Sequence, residues 1–208
     1  HYAPATIMTI YQDSKDDIWV GSYFDGMARL DKSKNSFSNI KKLLNENREP
    51  ITRITEIVED YQDNLWISTL GFGLYRYNLG TGEIYNYSGR SNPAHPNDAT
   101  NTIHNSWINC LWVSADGNIY IGTTDGVSKY DISSKTFNSL NQFFPILNSK
   151  IIHTIYEDSG GTLWIGSSDG LFSISTDKSE IIHYETTHGL PSNVICSIEE
   201  DDEQNLWI

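Results

Sequence analysis

One short phrase, an aliphatic residue, an aromatic, another aliphatic and then a small residue, returns along the chain and sets the period into which everything else must fit. It reads Ile18-Trp19-Val20-Gly21-Ser22, then Leu65-Trp66-Ile67-Ser68-Thr69, Ile119-Tyr120-Ile121-Gly122-Thr123, Leu163-Trp164-Ile165-Gly166-Ser167 and Leu206-Trp207-Ile208. The aromatic anchors lie 47, 54, 44 and 43 residues apart. Six or seven residues after each of the first four stands a turn glycine: Gly26, Gly73, Gly126 and Gly170. Further turns precede the anchors, as in Asp116-Gly117-Asn118 and Asp158-Ser159-Gly160-Gly161. The runs between turns are only four to eight residues long and rich in Ile, Val, Tyr, Phe and Thr, which reads as strand. In the fourth unit the strands are predicted at 150–157, 162–166, 170–175 and 180–184. No window carries apolar residues at helical spacing over the length a helix needs, and Asp-Gly pairs interrupt every candidate.

A four-stranded antiparallel unit of this size cannot bury both its faces alone. Stacking such units radially does bury them, so the expected fold is an all-β propeller of four-stranded antiparallel blades, about four complete and part of a fifth. As a single propeller fragment over 1–208, its repeats fall at about 5–50, 51–102, 103–149, 150–191 and, in part, 192–208. The recurring Trp is expected as a wedge between adjacent blades. Gly21, Gly122 and Gly166 are expected where the second strand leaves no room for a side chain. The third unit is atypical, with Tyr120 for the anchor Trp and Ser114 where the others have Asp13, Asp60 and Asp158. The second is lengthened by a polar insertion at 88–101.

Charge and composition narrow the function classes. Against 14 Lys and Arg stand 27 Asp and Glu, a net charge of −13 over 208 residues, so the average field repels phosphate polymers and nucleic acid is not an expected partner. No apolar run is long enough to span a bilayer. The basic side chains are uneven: residues 1–53 hold eight of the 14. The run Lys32, Lys34, Lys41, Lys42, Arg48 and Arg53 is a candidate surface for an anionic glycan. Strand alternation turns the two cysteines to opposite faces of different blades, which argues against a disulfide and for two buried free thiols. Zinc-ligand spacing, a calcium loop, a Gly-x-Ser-x-Gly elbow and a phosphate loop are all missing from the sequence, so no metal, cofactor or catalytic residue is expected. The turn ahead of Trp164 resembles the aspartate box of sialidase propellers, with one residue more before the Trp.

The stretch from His183 through Gly189-Leu190-Pro191-Ser192-Asn193 to Asn205-Leu206-Trp207-Ile208, with its neighbour 158–171, resembles the two-component regulator propeller repeat. The resemblance extends over essentially the whole chain. It implies the periplasmic sensor region of a hybrid two-component histidine kinase of the Bacteroides type, one that detects oligosaccharides and can act as a homodimer. It also implies a parent protein anchored in the membrane by a segment outside this sequence, and a chain that is a piece of a longer one.

Ligands of propellers commonly meet the loops between strands two and three and the connections between blades. Here these contain Tyr23, Phe24, Arg53, Phe72, Asn101, His104, Trp107, Lys150 and His153. Aromatic faces beside amide and charged donors suit sugar rings, which present apolar C–H patches between hydroxyls. The expected function is therefore oligosaccharide sensing without catalysis. A polysaccharide-cleaving propeller and a protein-interaction scaffold are the alternatives. The first would need a placed pair of carboxylates, the second an apolar patch on the loop face.

Overall fold

The computed structural model describes residues 6–40, 50–87 and 103–208. Contacts divide the chain into two compact units, His1–Ile108 and Asn109–Ile208. The first holds two antiparallel sheets in sequential order, β1 (Ile7–Gln12), β2 (Ile18–Ser22), β3 (Met27–Asp31), β4 (Ser36–Asn39) and then β5 (Ile54–Glu59), β6 (Asn64–Thr69), β7 (Leu74–Asn78), β8 (Ile84–Asn86). The second holds β9 (Ile108–Val113), β10 (Ile119–Thr123), β11 (Gly126–Asp131), β12 (Thr136–Ser139) and β13 (Ile152–Glu157), β14 (Leu163–Ser167), β15 (Gly170–Ile174), β16 (Ile181–Tyr184). A two-stranded start of a further sheet follows, β17 (Glu199–Glu200) with β18 (Leu206–Trp207). No α-helix occurs among the described residues. In the fourth sheet the strand ends differ from the sequence expectation by two residues at most.

A hydrogen-bonding device explains the period. In four of the five turns between first and second strands an aspartate accepts the indole N–H of the Trp six residues on: Asp13–Trp19 at 2.8 Å, Asp60–Trp66 at 2.7 Å, Asp158–Trp164 at 2.7 Å and Asp201–Trp207 at 2.8 Å. Its other carboxylate oxygen accepts a backbone N–H four residues on, from Asp17, Asn64, Thr162 or Asn205. Asp13 and Asp60 are buried, so their charge needs these donors to be tolerated. At half-buried Asp201 the Trp207 indole and the Asn205 N–H groups hold the carboxyl down at about 2. The third sheet does without the device. Tyr120 has no ring N–H, and Ser114 instead donates to Asp116, which takes over the backbone N–H and side-chain amide of Asn118. Burial works to raise Asp116, but these bonds outweigh it and hold the carboxyl below its ordinary value.

Packing between neighbouring sheets of a unit uses the other expected feature. Trp19 (1% exposed) sits in a core with Ile54, Ile57, Leu65 and Tyr75 of the second sheet. Tyr120 sits in one with Ile152, Ile155, Leu163 and Ile174 of the fourth. Trp207, with no further sheet against it among the described residues, is 66% exposed. A Cβ at Gly21 would come 2.5 Å from the Ile54 side chain, and at Gly166 2.6 Å from Thr154 and 2.8 Å from Ile195. At Gly122 it would collide with Cys110 and Ile152. The glycine of the second strand is thus the socket for an isoleucine of the next sheet, Ile54 and Ile152 at the start of its first strand and Ile195 just ahead of it.

A second link between sheets was not foreseen. Glu59, Glu157 and Glu200, at or near the end of a first strand, accept N–H groups from the preceding sheet's turn: Ser14 N at 2.6 Å, Ala115 N at 2.8 Å and Ser159 N at 2.7 Å. The expectation of two buried thiols needs correction: Cys110 is buried but Cys196 is exposed. Cys196 lies in the non-strand segment ahead of β17, between Ile195 and Ile198, whose side chains are buried, while Cys196 and Ser197 face outward.

Because the Gly166 socket is filled from two sides, Gly166→Ala should destabilise the fold by about 1–3 kcal/mol, the usual range for overpacking. A denaturant midpoint unchanged from the parent would contradict the socket.

Candidate functional site

In an antiparallel sheet of order one to four, the turn between second and third strands lies at the end opposite the other two turns, and the link to the next sheet leaves from that same end. A buried hydroxyl closes each of these turns: Ser22 accepts from Asp25 N at 2.7 Å, Thr69 donates to Gly73 O at 2.6 Å, Thr123 to Gly126 O at 2.9 Å and Ser167 to Gly170 O at 2.9 Å. The link to the next sheet is tied across the turn by a backbone bond. In the first unit these are Arg53 N to Tyr23 O at 2.7 Å and Gly71 N to Ser106 O at 2.9 Å; in the second, Gly126 N to Lys150 O at 2.8 Å and Gly170 N to Asn193 O at 2.6 Å. Loops and links therefore form a braced surface on each unit.

On the first unit this surface gathers most of the residues singled out above. Arg53 stands just before β5 in a left-handed backbone conformation, φ 55°. Its guanidinium carbon lies 5.8 Å from the ring centres of both Tyr23, on the β2–β3 turn, and Phe72, on the β6–β7 turn. Phe24 (53% exposed) meets Tyr23 edge-on with centroids 4.8 Å apart. Trp107 (49% exposed) lies beside Gly71, where an added Cβ would be 3.5 Å from the indole, and bridges to Leu70. Gly71, at φ 95°, brings the chain under that ring as a larger residue could not. His104 is exposed on the same segment before β9. A guanidinium framed by two rings keeps donors in a fixed direction, and the exposed Phe24 and Trp107 offer apolar faces beside them.

The remaining two residues lie on the second unit. Lys150 is ion-paired with Asp169 on the β14–β15 turn, and that ammonium group holds the Asp169 carboxyl below its usual value. His153 occupies the bulge of β13, between Ile152 and Thr154 where the register shifts. The corresponding Thr55 and Asn109 donate to backbone carbonyls at the start of the next first strand, Ile108 at 2.9 Å and Ile152 at 2.8 Å. Asn101 and the rest of the insertion at 88–101 lie outside the described residues. The basic run does not form one patch: Lys32 and Lys34 follow β3 at the end of the sheet opposite Tyr23, where Lys34 pairs with Asp31 at 2.7 Å. Lys41, Lys42 and Arg48 are outside the described residues.

Seven carboxylates have structural work: Asp13, Asp60, Asp158 and Asp201 accept indoles, and Glu59, Glu157 and Glu200 clasp the preceding sheet. Among the described residues no group of three or more His, Cys, Asp or Glu side chains is placed to hold a metal ion. Sequence reasoning missed one feature of the second unit, a pocket of about 390 Å³ lined in part by Tyr120, Leu140 and Phe144. Its sequence signals were the atypical Tyr120 and the adjacent pair Phe143-Phe144.

Repeated four-stranded antiparallel blades of this build define the β-propeller class, here about four blades and part of another. Residues 1–24 and 146–169 match the model of the two component regulator propeller family. It is 26% identical to "Histidine kinase P4" of Formosa agariphila in an alignment that takes in 93% of this chain and 14% of that protein. Among solved structures it is similar to the "extracellular domain of the putative hybrid two component system BT3049" from B. thetaiotaomicron, with a TM-score of 0.74 at 20% identity, covering 97% of this chain and 25% of that one. It is also similar to virginiamycin B lyase from Staphylococcus aureus, TM-score 0.71 at 12% identity, covering 99% and 64%. The two structural likenesses are of fold. The chain spans 14% of the curated relative's length.

The left-handed backbone of Arg53 makes its replacements unequal. Alanine loses the ring contacts and keeps the strain, whereas glycine loses the contacts and relieves it. Arg53→Gly should be more stable than Arg53→Ala by about 1 kcal/mol in urea unfolding; equal midpoints would contradict the conformation described.

Proposed function

We propose that the chain is part of the extracytoplasmic, periplasmic sensor region of a hybrid two-component histidine kinase, that it binds an oligosaccharide, and that it catalyses nothing itself. The observation that carries this reading is the match of regulator propeller repeats within a chain that aligns, over 93% of its length, to 14% of a histidine kinase. Kinase chemistry belongs to the rest of such a protein, and a membrane anchor would join the two parts. The sugar ligand is supported by the Arg53 surface: a planar fork of donors between Tyr23 and Phe72, flanked by the exposed faces of Phe24 and Trp107.

Signalling requires two states that the ligand binds unequally, and a change of arrangement within a homodimer is the form proposed for it. The non-catalytic reading is supported by the structural employment of the seven acids that hold indoles or clasp a neighbouring sheet, since glycoside cleavage would need two carboxylates held apart for the reaction.

Calorimetric titration with a panel of oligosaccharides, run beside assays for cleavage products in the same mixtures, tests the reading. Saturable binding of at least one member without cleavage is expected, weakened about tenfold, or roughly 1.4 kcal/mol, by Arg53→Ala. Cleavage would replace the sensor by an enzyme. A panel without a binder would leave the interaction scaffold as the better account.

A further inference from the structure

Each blade carries a row of three residues in cross-strand register on its second, third and fourth strands. The rows are Trp19–Arg29–Ser38, Trp66–Arg76–Tyr85, Tyr120–Lys129–Asn138 and Trp164–Ser173–Ile182. In the first two, the arginine lies over the anchor ring, with guanidinium carbon to indole centroid distances of 5.7 and 5.9 Å, and the row is closed by that stacking. The third row has a shorter aromatic and a lysine in these places. There the pocket of about 390 Å³ opens, and Tyr120, Lys129 and Asn138 are all at its surface.

Its apolar walls come from Leu140, Phe144 and Ile174 together with the Tyr120 ring. Leu140 and Phe144 belong to the short 3-10 turns that follow β12, Leu140–Gln142 and Pro145–Leu147, and to the residues joining them. Phe143 also lines the pocket while 73% exposed, an aromatic face that an occupant would cover. Burial raises the Tyr120 phenol above its ordinary value, so it stays neutral.

Two ammonium groups complete the lining. Lys129 Nζ lies 3.7 Å from Asp131, and Lys178 Nζ lies 3.6 Å from Glu157, 3.4 Å from Gly161 O and 6.0 Å from the Tyr120 ring centre. Charge-assisted hydrogen bonds are closer to 2.7–2.9 Å, so these pairs are loose. Nearer donors hold the other oxygen of each acid: Asp131 Oδ1 accepts from Ser133 and Ser134 at 2.6–3.1 Å while Lys129 faces Oδ2, and Glu157 Oε2 accepts Ala115 N at 2.8 Å while Lys178 faces Oε1. An ammonium group has three N–H donors, and each lysine meets its acid at one oxygen only, so both keep protons to give.

From the apolar walls and the two loosely held ammonium groups we infer that this pocket binds a small organic anion with an apolar body, an aryl or alkyl carboxylate. The volume lies within the range of small-molecule sites. The carboxylate would accept from Lys129 and Lys178 while the body replaces water against Leu140, Phe144 and Ile174. The site is separate from the Arg53 surface, whose residues belong to the other unit, so failure of the oligosaccharide reading leaves it standing.

The probes are 2-naphthoate and its neutral counterpart 2-naphthamide, titrated calorimetrically into the full chain. The naphthoate should bind saturably and at least tenfold tighter than the amide. The double variant Lys129→Met/Lys178→Met should remove that preference, and Leu140→Trp should abolish binding of both by filling the space, with thermal unfolding followed as a check on folding. The comparison of the two probes on the unaltered chain needs no variant. Equal affinities, no saturable binding of naphthoate, or a preference that survives loss of both lysines in a folded variant would overturn the inference.

Discussion

An indole N–H enclosed by aliphatic side chains needs an acceptor, and a carboxylate enclosed beside it needs donors. In this chain each need answers the other. The aspartate of the first turn takes the indole of the second strand with one oxygen and the backbone of its own turn with the other. A single side chain thereby fixes turn shape, strand register and the rotamer of the largest core residue. Once the indole is fixed, the face it shows to the next sheet is fixed too, and the isoleucine socket at Gly21 or Gly166 follows on the same strand.

This division of labour bears on function. Acids that hold indoles or clasp the neighbouring sheet through Glu59, Glu157 and Glu200 are committed to the frame. The braced loops and links at the other end carry the residues with polar groups and aromatic faces to offer, Arg53 between Tyr23 and Phe72 foremost. The third blade departs from the frame, with Tyr120 in place of the indole and Asp116 in place of the usual aspartate, and it is there that a pocket opens. A change in the structural device and a candidate binding feature coincide.

Much of the frame was legible in the sequence because it repeats. The anchor spacing gave the period, turn glycines gave strand ends to within two residues in the fourth blade, and Gly21, Gly122 and Gly166 marked close approach. What was not legible depends on partners in another blade. The Ser14–Glu59, Ala115–Glu157 and Ser159–Glu200 bonds join residues 45, 42 and 41 positions apart, with no local pattern to announce them. The basic run misled because a hairpin sends Lys34 and Arg53 to opposite ends of their sheets, although both are basic residues of one short stretch. Cys196 was misplaced because the segment from Ile195 to Ile198 is not strand and does not alternate, so counting back from Trp207 does not give its face. The Arg53 frame needed the packing of two blades, and the Tyr120–Lys129–Asn138 row needed the register of three strands.

The most direct test of the frame is a double-mutant cycle on Asp60 and Trp66, measured by denaturant unfolding. If the carboxylate–indole bond governs the blade, Asp60→Ala should cost less in a Trp66→Phe background than in the parent, by about 1 kcal/mol or more. Strictly additive effects would contradict it, leaving Asp60 as a turn residue and Trp66 as a packing residue with no dependence on one another.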